Sequence, residues 1–313
     1  MRELRSQFPW LAMISLFVAM LVTWCISAAP VMADSEMPFG KGRLFEISKP
    51  GTPPSYVFGT MHVADKDVLK LPPPIARAFK GSRLLLVESD GDPNEMFKIV
   101  KAMVLPEGRT LKAIIKPELY EDVVTAAEAM GMKENEVNRL RPWVLCFMLG
   151  DPRDHSIRRA TGQPVLDDAL QQYAAKRGVP IVPLDRGEEI AAMFTVHLTE
   201  ADQALMLESM LLDPVPLSER QNAARTAYLA GDLESHMNIA HPNEQTLTAE
   251  EREFAERFGN QLLTSHNERW IPRMTRHLKS GGVFVAVGAA HLPGETGVLN
   301  LLEKAGYSVT RVL

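Results

Sequence analysis

Two apolar runs far apart in the chain end in the same way: SYVFG stops at Gly59 and VFVAVG at Gly288, and each is followed three residues later by a histidine, His62 and His291. Both runs are rich in β-branched and aromatic residues, the composition of strands. A glycine at a strand end lets the backbone turn sharply or approach another group closely. In open α/β sheets ligands bind outside the carboxyl ends of the strands, so polar residues placed there are site candidates. Two more strand-like runs end on acids, RLLLVES at Glu88 and VPIVPLD at Asp185. His62, Glu88, Asp185 and His291 are therefore the first residues to consider for chemistry.

Between these runs the element types alternate. RLFEIS and SYVFGTM flank the turn KPGTPP and read as an opening hairpin. IARAFKG is a short helix after the prolines at 72–74, and RLLLVES is a buried strand. Residues 93–149 are helical, with breaks near Gly108, Pro117 and Gly131. DDALQQYAAKRG is a helix closed by Gly178, and VPIVPLD is a short strand. Helices dominate residues 188–279, interrupted by LDPVPLS and AHPNEQT. The chain closes with strand VFVAVG, helix GVLNLLEKAG and strand YSVTRVL. This order predicts an α/β fold with a central mixed β-sheet, flanking helices and large helical insertions, as one domain over residues 34–313. The 188–279 segment is expected to cross the strand ends as a lid that excludes water.

The N-terminus predicts export. Arg2 and Arg5 precede the apolar run WLAMISLFVAMLVTWCISAA, and VMA at 31–33 offers the small residues a signal peptidase reads, so the mature chain is expected to begin near Asp34. The same run is long enough for an uncleaved anchor, which would be the chain's only link to a membrane. Periplasmic or secreted localisation is the expectation, with inner-membrane anchoring as its alternative. Of the two cysteines, Cys25 lies inside the leader, so Cys146 in WVLCFML remains alone and reads as an inert core thiol. A net charge of −5 with no long basic run gives no footprint for nucleic acid.

Two imidazoles and a carboxylate on one rim are what a divalent metal site needs, with positions left for water and substrate. The same residues can also work without metal, one histidine taking a proton from water while the glutamate orients it.

YVFGTMH, LLLVESD, VLDDALQQYAAKRGVPIVPLD and VFVAVGAAHLPGETGVLNLLEKAGYSVTRV together resemble the TraB/PrgY/GumN family, which includes the Tiki proteases. Its signature is paired G-x-x-H motifs with a glutamate between them, and exported bacterial GumN-like members look nearest. The resemblance implies a hydrolase-like α/β fold related to that of erythromycin esterases, with His62, Glu88 and His291 at the site. For Tiki relatives it implies metal-dependent peptide cleavage with manganese or cobalt favoured, zinc being a further candidate. The implied substrate is a peptide or other small exported molecule.

Two positions depart from the family pattern. Where the family often carries arginine followed by asparagine, this chain has His266 and Asn267, and where it has a glutamate after the fourth strand, this chain has Asp185. Histidine replaces a permanent cation by a titratable ring, and Arg269 or Arg273 on the same helix is the expected compensation. Glu88, His266 and Asp185 are the candidate catalytic groups; His62, Glu88 and His291 are the candidate metal ligands. Asp167 and Asp168 head a helix, where acids complement the dipole, and capping is the simpler reading. His155, His197, His236, His241 and His277 show no partner spacing and are expected to be structural or superficial. Set against the hydrolase is a non-catalytic periplasmic binding or accessory protein that uses the same pocket to hold a ligand.

Overall fold

The computed structural model describes residues 37–150, 158, 161–213, 215–240 and 248–313. The leader and its cleavage site, His155, His241 and the tract HPNEQT lie outside the described residues.

The hairpin of β1 (Leu44–Ser48) and β2 (Ser55–Thr60) comes first, with Leu44 opposite Phe58. Helices α1 (Lys66–Leu69) and α2 (Pro73–Gly81) lead to β3 (Leu84–Val87). The second of these starts within the proline run because proline lacks only an N–H that the first turn leaves unpaired anyway. Then come α3 (Pro93–Met103), α4 (Pro117–Ala129), α5 (Glu134–Val137) and α6 (Pro142–Leu149). Helix α7 (Leu166–Lys176) precedes β4 (Ile181–Pro183). The long helical stretch follows as α8 (Gly187–Thr195), α9 (Glu200–Leu211), α10 (Leu217–Leu229), α11 (Leu233–Ala240) and α12 (Ala249–Gly259). A π-helical turn (Asn260–Thr264) joins α12 to α13 (Ser265–Leu278). β5 (Val283–Gly288), a 3₁₀ turn (Ala289–His291), α14 (Val298–Lys304) and β6 (Ser308–Arg311) complete the order.

The six strands form one mixed sheet in the order β4-β3-β5-β2-β1-β6. β4, β3, β5 and β2 are parallel, while β1 runs against both β2 and β6. LLLV and VFVAVG are buried at every position, which interior parallel strands covered on both faces require. β6, at the edge, is mostly exposed. Because four neighbouring strands share one direction, the residues after β2, β3, β4 and β5 all emerge on one edge. That edge also receives the start of β1, where the Gly59 N–H donates to Arg43 O at 2.9 Å.

Two apolar clusters hold the elements. One lies on the sheet, where Phe79 and Phe284 meet at 5.0 Å and Phe58 touches Phe284 at 5.9 Å. The other is helical, with Trp143 stacked on Phe194 at 4.4 Å and Cys146 buried among them. Each such large side chain contributes about 1.5–3 kcal/mol by leaving water. Apolar all round, α6 is accordingly enclosed. Among the described residues no helix is long and apolar enough to cross a membrane.

The helical stretch reaches the strand ends at two places. From α10, Tyr228 sends its O–H to Gly59 O at 2.9 Å, and α13 brings His266, Asn267 and Trp270 to the same edge.

Candidate active site

Strand ladders continue past their ends here. Leu184 N–H donates to Val87 O at 2.7 Å and Asp185 N–H to Glu88 O at 2.9 Å, so Asp185 is held beside Glu88 by backbone alone. Glu88 Oε1 accepts the Gly288 N–H at 2.6 Å, tying β3 to β5. The two motif glycines are not in the left-handed region, so a sharp turn is not what selects them. At Gly59 the reason is space: a Cβ there would stand 3.0 Å from Ala289 Cα and 3.1 Å from the Leu292 side chain. The close approach is thus between the two G-x-x-H segments themselves.

His62 is buried, and its Nδ1–H donates to Asp167 Oδ2 at 2.7 Å. Thr60 Oγ1 donates to the other oxygen, also at 2.7 Å. Burial alone would lower the His62 pKa, but the Asp167 carboxylate outweighs it and raises the ring to about 9. This corrects the capping reading of Asp167. The acid does sit in the first turn of α7, yet its carboxylate is turned inward onto the histidine of the first motif. Nothing local in the sequence marks that contact, since an acid in a first turn already has a sufficient explanation. Thr60, one residue past the first glycine, was likewise not singled out by sequence.

His291 is fully buried and donates Nδ1–H to Asn267 Oδ1 at 2.7 Å. The amide orientation follows from its other end, where Nδ2 donates to Thr296 O at 2.9 Å. Burial pushes the His291 pKa well below the ordinary value, and charge on His266 and His62 adds to this, so the ring is neutral. Its Nε2 therefore carries a lone pair, and that atom is buried without a partner among the described residues, as is His62 Nε2. Glu88 Oε2 lies 3.9 Å from His62 Nε2, beyond hydrogen-bond reach. Burial raises the Glu88 pKa, against the pull of His62.

Among the described residues no three His, Cys, Asp or Glu side chains already stand around a common point as a metal cluster. The donor chemistry nonetheless fits a divalent ion. Among the described residues the Nε2 atoms of His62 and His291 have no hydrogen-bond partner, each ring is oriented through its Nδ1, and a Glu88 oxygen lies 3.9 Å from His62 Nε2, a nitrogen that would give up its proton on binding a metal. Leaving such atoms unmatched in the interior costs free energy, which a bound cation would recover.

His266 is employed differently. Its Nε2 faces Asp185 Oδ2 at 2.6 Å and its Nδ1–H donates to Leu262 O at 3.2 Å, in the π-helical turn. With both nitrogens engaged it offers no lone pair and no free N–H to a substrate. Trp270, unnoticed in the sequence, donates Nε1–H to Asp185 Oδ1 at 2.9 Å. The two departures from the family pattern, Asp185 and His266, are thus in contact. Arg273 binds Glu189 and the Leu184 carbonyl, so its guanidinium is already engaged there. Of the histidines set aside by sequence, His236 is buried with Nδ1 on Ala224 O, and His197 is exposed.

The TraB/PrgY/gumN family model matches residues 43–311. The chain belongs to the TraB/PrgY/gumN family. Among curated relatives it is 26% identical to "Metalloprotease TIKI2" of Danio rerio, over 85% of this chain and 60% of that protein. It is 25% identical to "Metalloprotease TIKI1" of Homo sapiens, over 96% of this chain and 69% of that protein. It is also 24% identical to "Uncharacterized protein YbaP" of Shigella flexneri, over 82% of this chain and 91% of that one. The chain spans about 60% of the length of the first of these relatives. No solved structure matches it, so the likeness to erythromycin esterases expected from sequence gains no support, whereas the mixed-sheet α/β fold is as expected.

Proposed function

We propose that the protein is an exported, metal-dependent hydrolase that cleaves a peptide or a similar amide or ester bond. The observation that carries this is the pair of buried Nε2 atoms on His62 and His291, without hydrogen-bond partners among the described residues, with Glu88 beside His62, at the edge where the parallel strands end. The relatives named as metalloproteases support the reaction class.

His62, Glu88 and His291 would hold the ion. Manganese or cobalt is the expectation from the family resemblance, and zinc accepts the same donors. Such an ion supplies Lewis acidity toward a carbonyl and acidifies water. The rest falls to the chain itself. Asp167 and Asn267 fix the two imidazoles so that each presents Nε2. Gly288 N–H fixes one Glu88 oxygen, leaving the other toward His62. Asp185 and His266, candidates for catalytic roles by sequence, are assigned to support behind His291, because their polar atoms bind one another. The described helices α10 and α13, which reach the strand ends, act as the lid.

The binding-protein reading draws on His266, which presents no free cation where the family often has arginine. One experiment separates the two. The metal-stripped protein is incubated with a mixed peptide library, with and without manganese or cobalt. New cleavage products that require the metal and vanish in His62→Ala support the hydrolase; retained peptide binding without any cleavage supports the binding protein.

A further inference from the structure

We infer that Trp270, together with Asp185 and His266, forms one positioning unit that sets the orientation of His291, an assignment that rests on reading His291 as a metal ligand. Trp270 is fully buried, and its single polar atom donates to Asp185 Oδ1 at 2.9 Å. The other Asp185 oxygen meets His266 Nε2 at 2.6 Å, and His266 Nδ1 is anchored on Leu262 O. Asp185 itself is clamped by its own N–H on Glu88 O. The unit therefore runs from the end of β3, through β4, into α13.

What makes this more than core packing is where the rings stand. The Trp270 ring lies 4.5 Å from His291 with an interplanar angle of 45°, and the His266 ring lies 5.4 Å from it, edge-on at 83°. Trp270 and His266 also touch at 4.5 Å. His266, Asn267 and Trp270 occupy one face of α13, at spacings of three and four residues that put helical side chains side by side. Asn267 thus holds His291 by its Nδ1 while the other two flank the ring, and the direction left to the imidazole is that of Nε2. Without the Trp270 to Asp185 bond, the indole can rotate away and the wall of His291 loosens. Side chains that orient a metal-binding histidine without touching the ion typically change affinity by about 10–100-fold.

Trp270→Phe tests this, since it keeps an aromatic ring and removes only the donor, and Asp185→Asn is its partner. Two readings are taken: the imidazole nitrogen shifts of His291 by NMR in the metal-free protein, and the binding of cobalt(II) by calorimetry and visible absorption. The unit predicts that each variant moves the His291 nitrogens, weakens cobalt binding by about tenfold, and that the double variant loses much less than the sum. Unchanged His291 shifts and unchanged cobalt affinity, or strict additivity, overturn it. If Trp270→Phe does not fold, His266→Gln, which retains a donor for Asp185 but removes the ring beside His291, decides by the same readings. If cobalt(II) fails to bind the unaltered protein, the metal reading falls, while the NMR shifts still decide whether the unit positions His291.

Discussion

Replacing Asp167 with alanine strands two buried donors at once, the Thr60 hydroxyl and His62 Nδ1–H, each 2.7 Å from the carboxylate. A buried donor left without an acceptor costs about 1–3 kcal/mol, so the pair should cost roughly 2–6 kcal/mol, the upper part reflecting the charge on the acceptor. The loss is read from urea unfolding as a lower midpoint at unchanged slope. The His62 pKa should also fall from about 9, because the largest charge opposing burial is gone. The decisive comparison repeats Asp167→Ala in a His62→Ala background, where only the Thr60 contact remains and the cost should shrink by 1 kcal/mol or more, about one hydrogen bond. An equal cost with and without the histidine, or a total loss below about 1 kcal/mol, would refute the claim that Asp167 exists to hold His62.

Gly59→Ala should destabilise by about 1–3 kcal/mol through overpacking, because its Cβ meets the Ala289 backbone at 3.0 Å; an unchanged thermal midpoint would show that close approach does not explain the glycine. Acid should weaken the fold through Glu189, whose pKa Arg273 lowers from 4.5 to about 2 by hydrogen bonding. A depressed acid contributes above its unfolded pKa and loses that contribution as pH falls through the folded value, so the loss spans the window between these two values. Arg273→Met should flatten the stability profile there, and an unaltered profile would contradict the pairing.

The strands were legible because LLLV and VFVAVG are apolar without interruption, a pattern that buried parallel strands share with few alternatives. His62, Glu88, Asp185 and His291 were legible for a related reason, since polar residues that end such runs reach a common edge whenever the strands are parallel. The support beneath them was not. Asp167 reaches His62 across 105 residues of chain, and its position at a helix start already has a local explanation. Trp270 shows only that one face of α13 is buried; which strand end its indole reaches depends on how the helix crosses the sheet. The G-x-x-H spacing is plain in the sequence, but the cause at Gly59, the approach of one motif to the other, is not. His266 and Asp185 were each visible as a departure, but their pairing at 2.6 Å is a fact of tertiary structure.

The central claim is that His62, Glu88 and His291 hold one divalent ion, and the metal content of single variants tests it most directly. Protein is loaded with manganese or cobalt, dialysed, and its metal quantified per chain by elemental analysis alongside His62→Ala, Glu88→Gln, His291→Ala, His266→Gln and the exposed-site control His197→Ala. The account predicts near-stoichiometric metal in the unaltered protein and in His197→Ala, strong loss in each of the three ligand variants, and weakened but measurable retention in His266→Gln. Full metal content in any one of His62→Ala, Glu88→Gln or His291→Ala, with the fold intact, would contradict it.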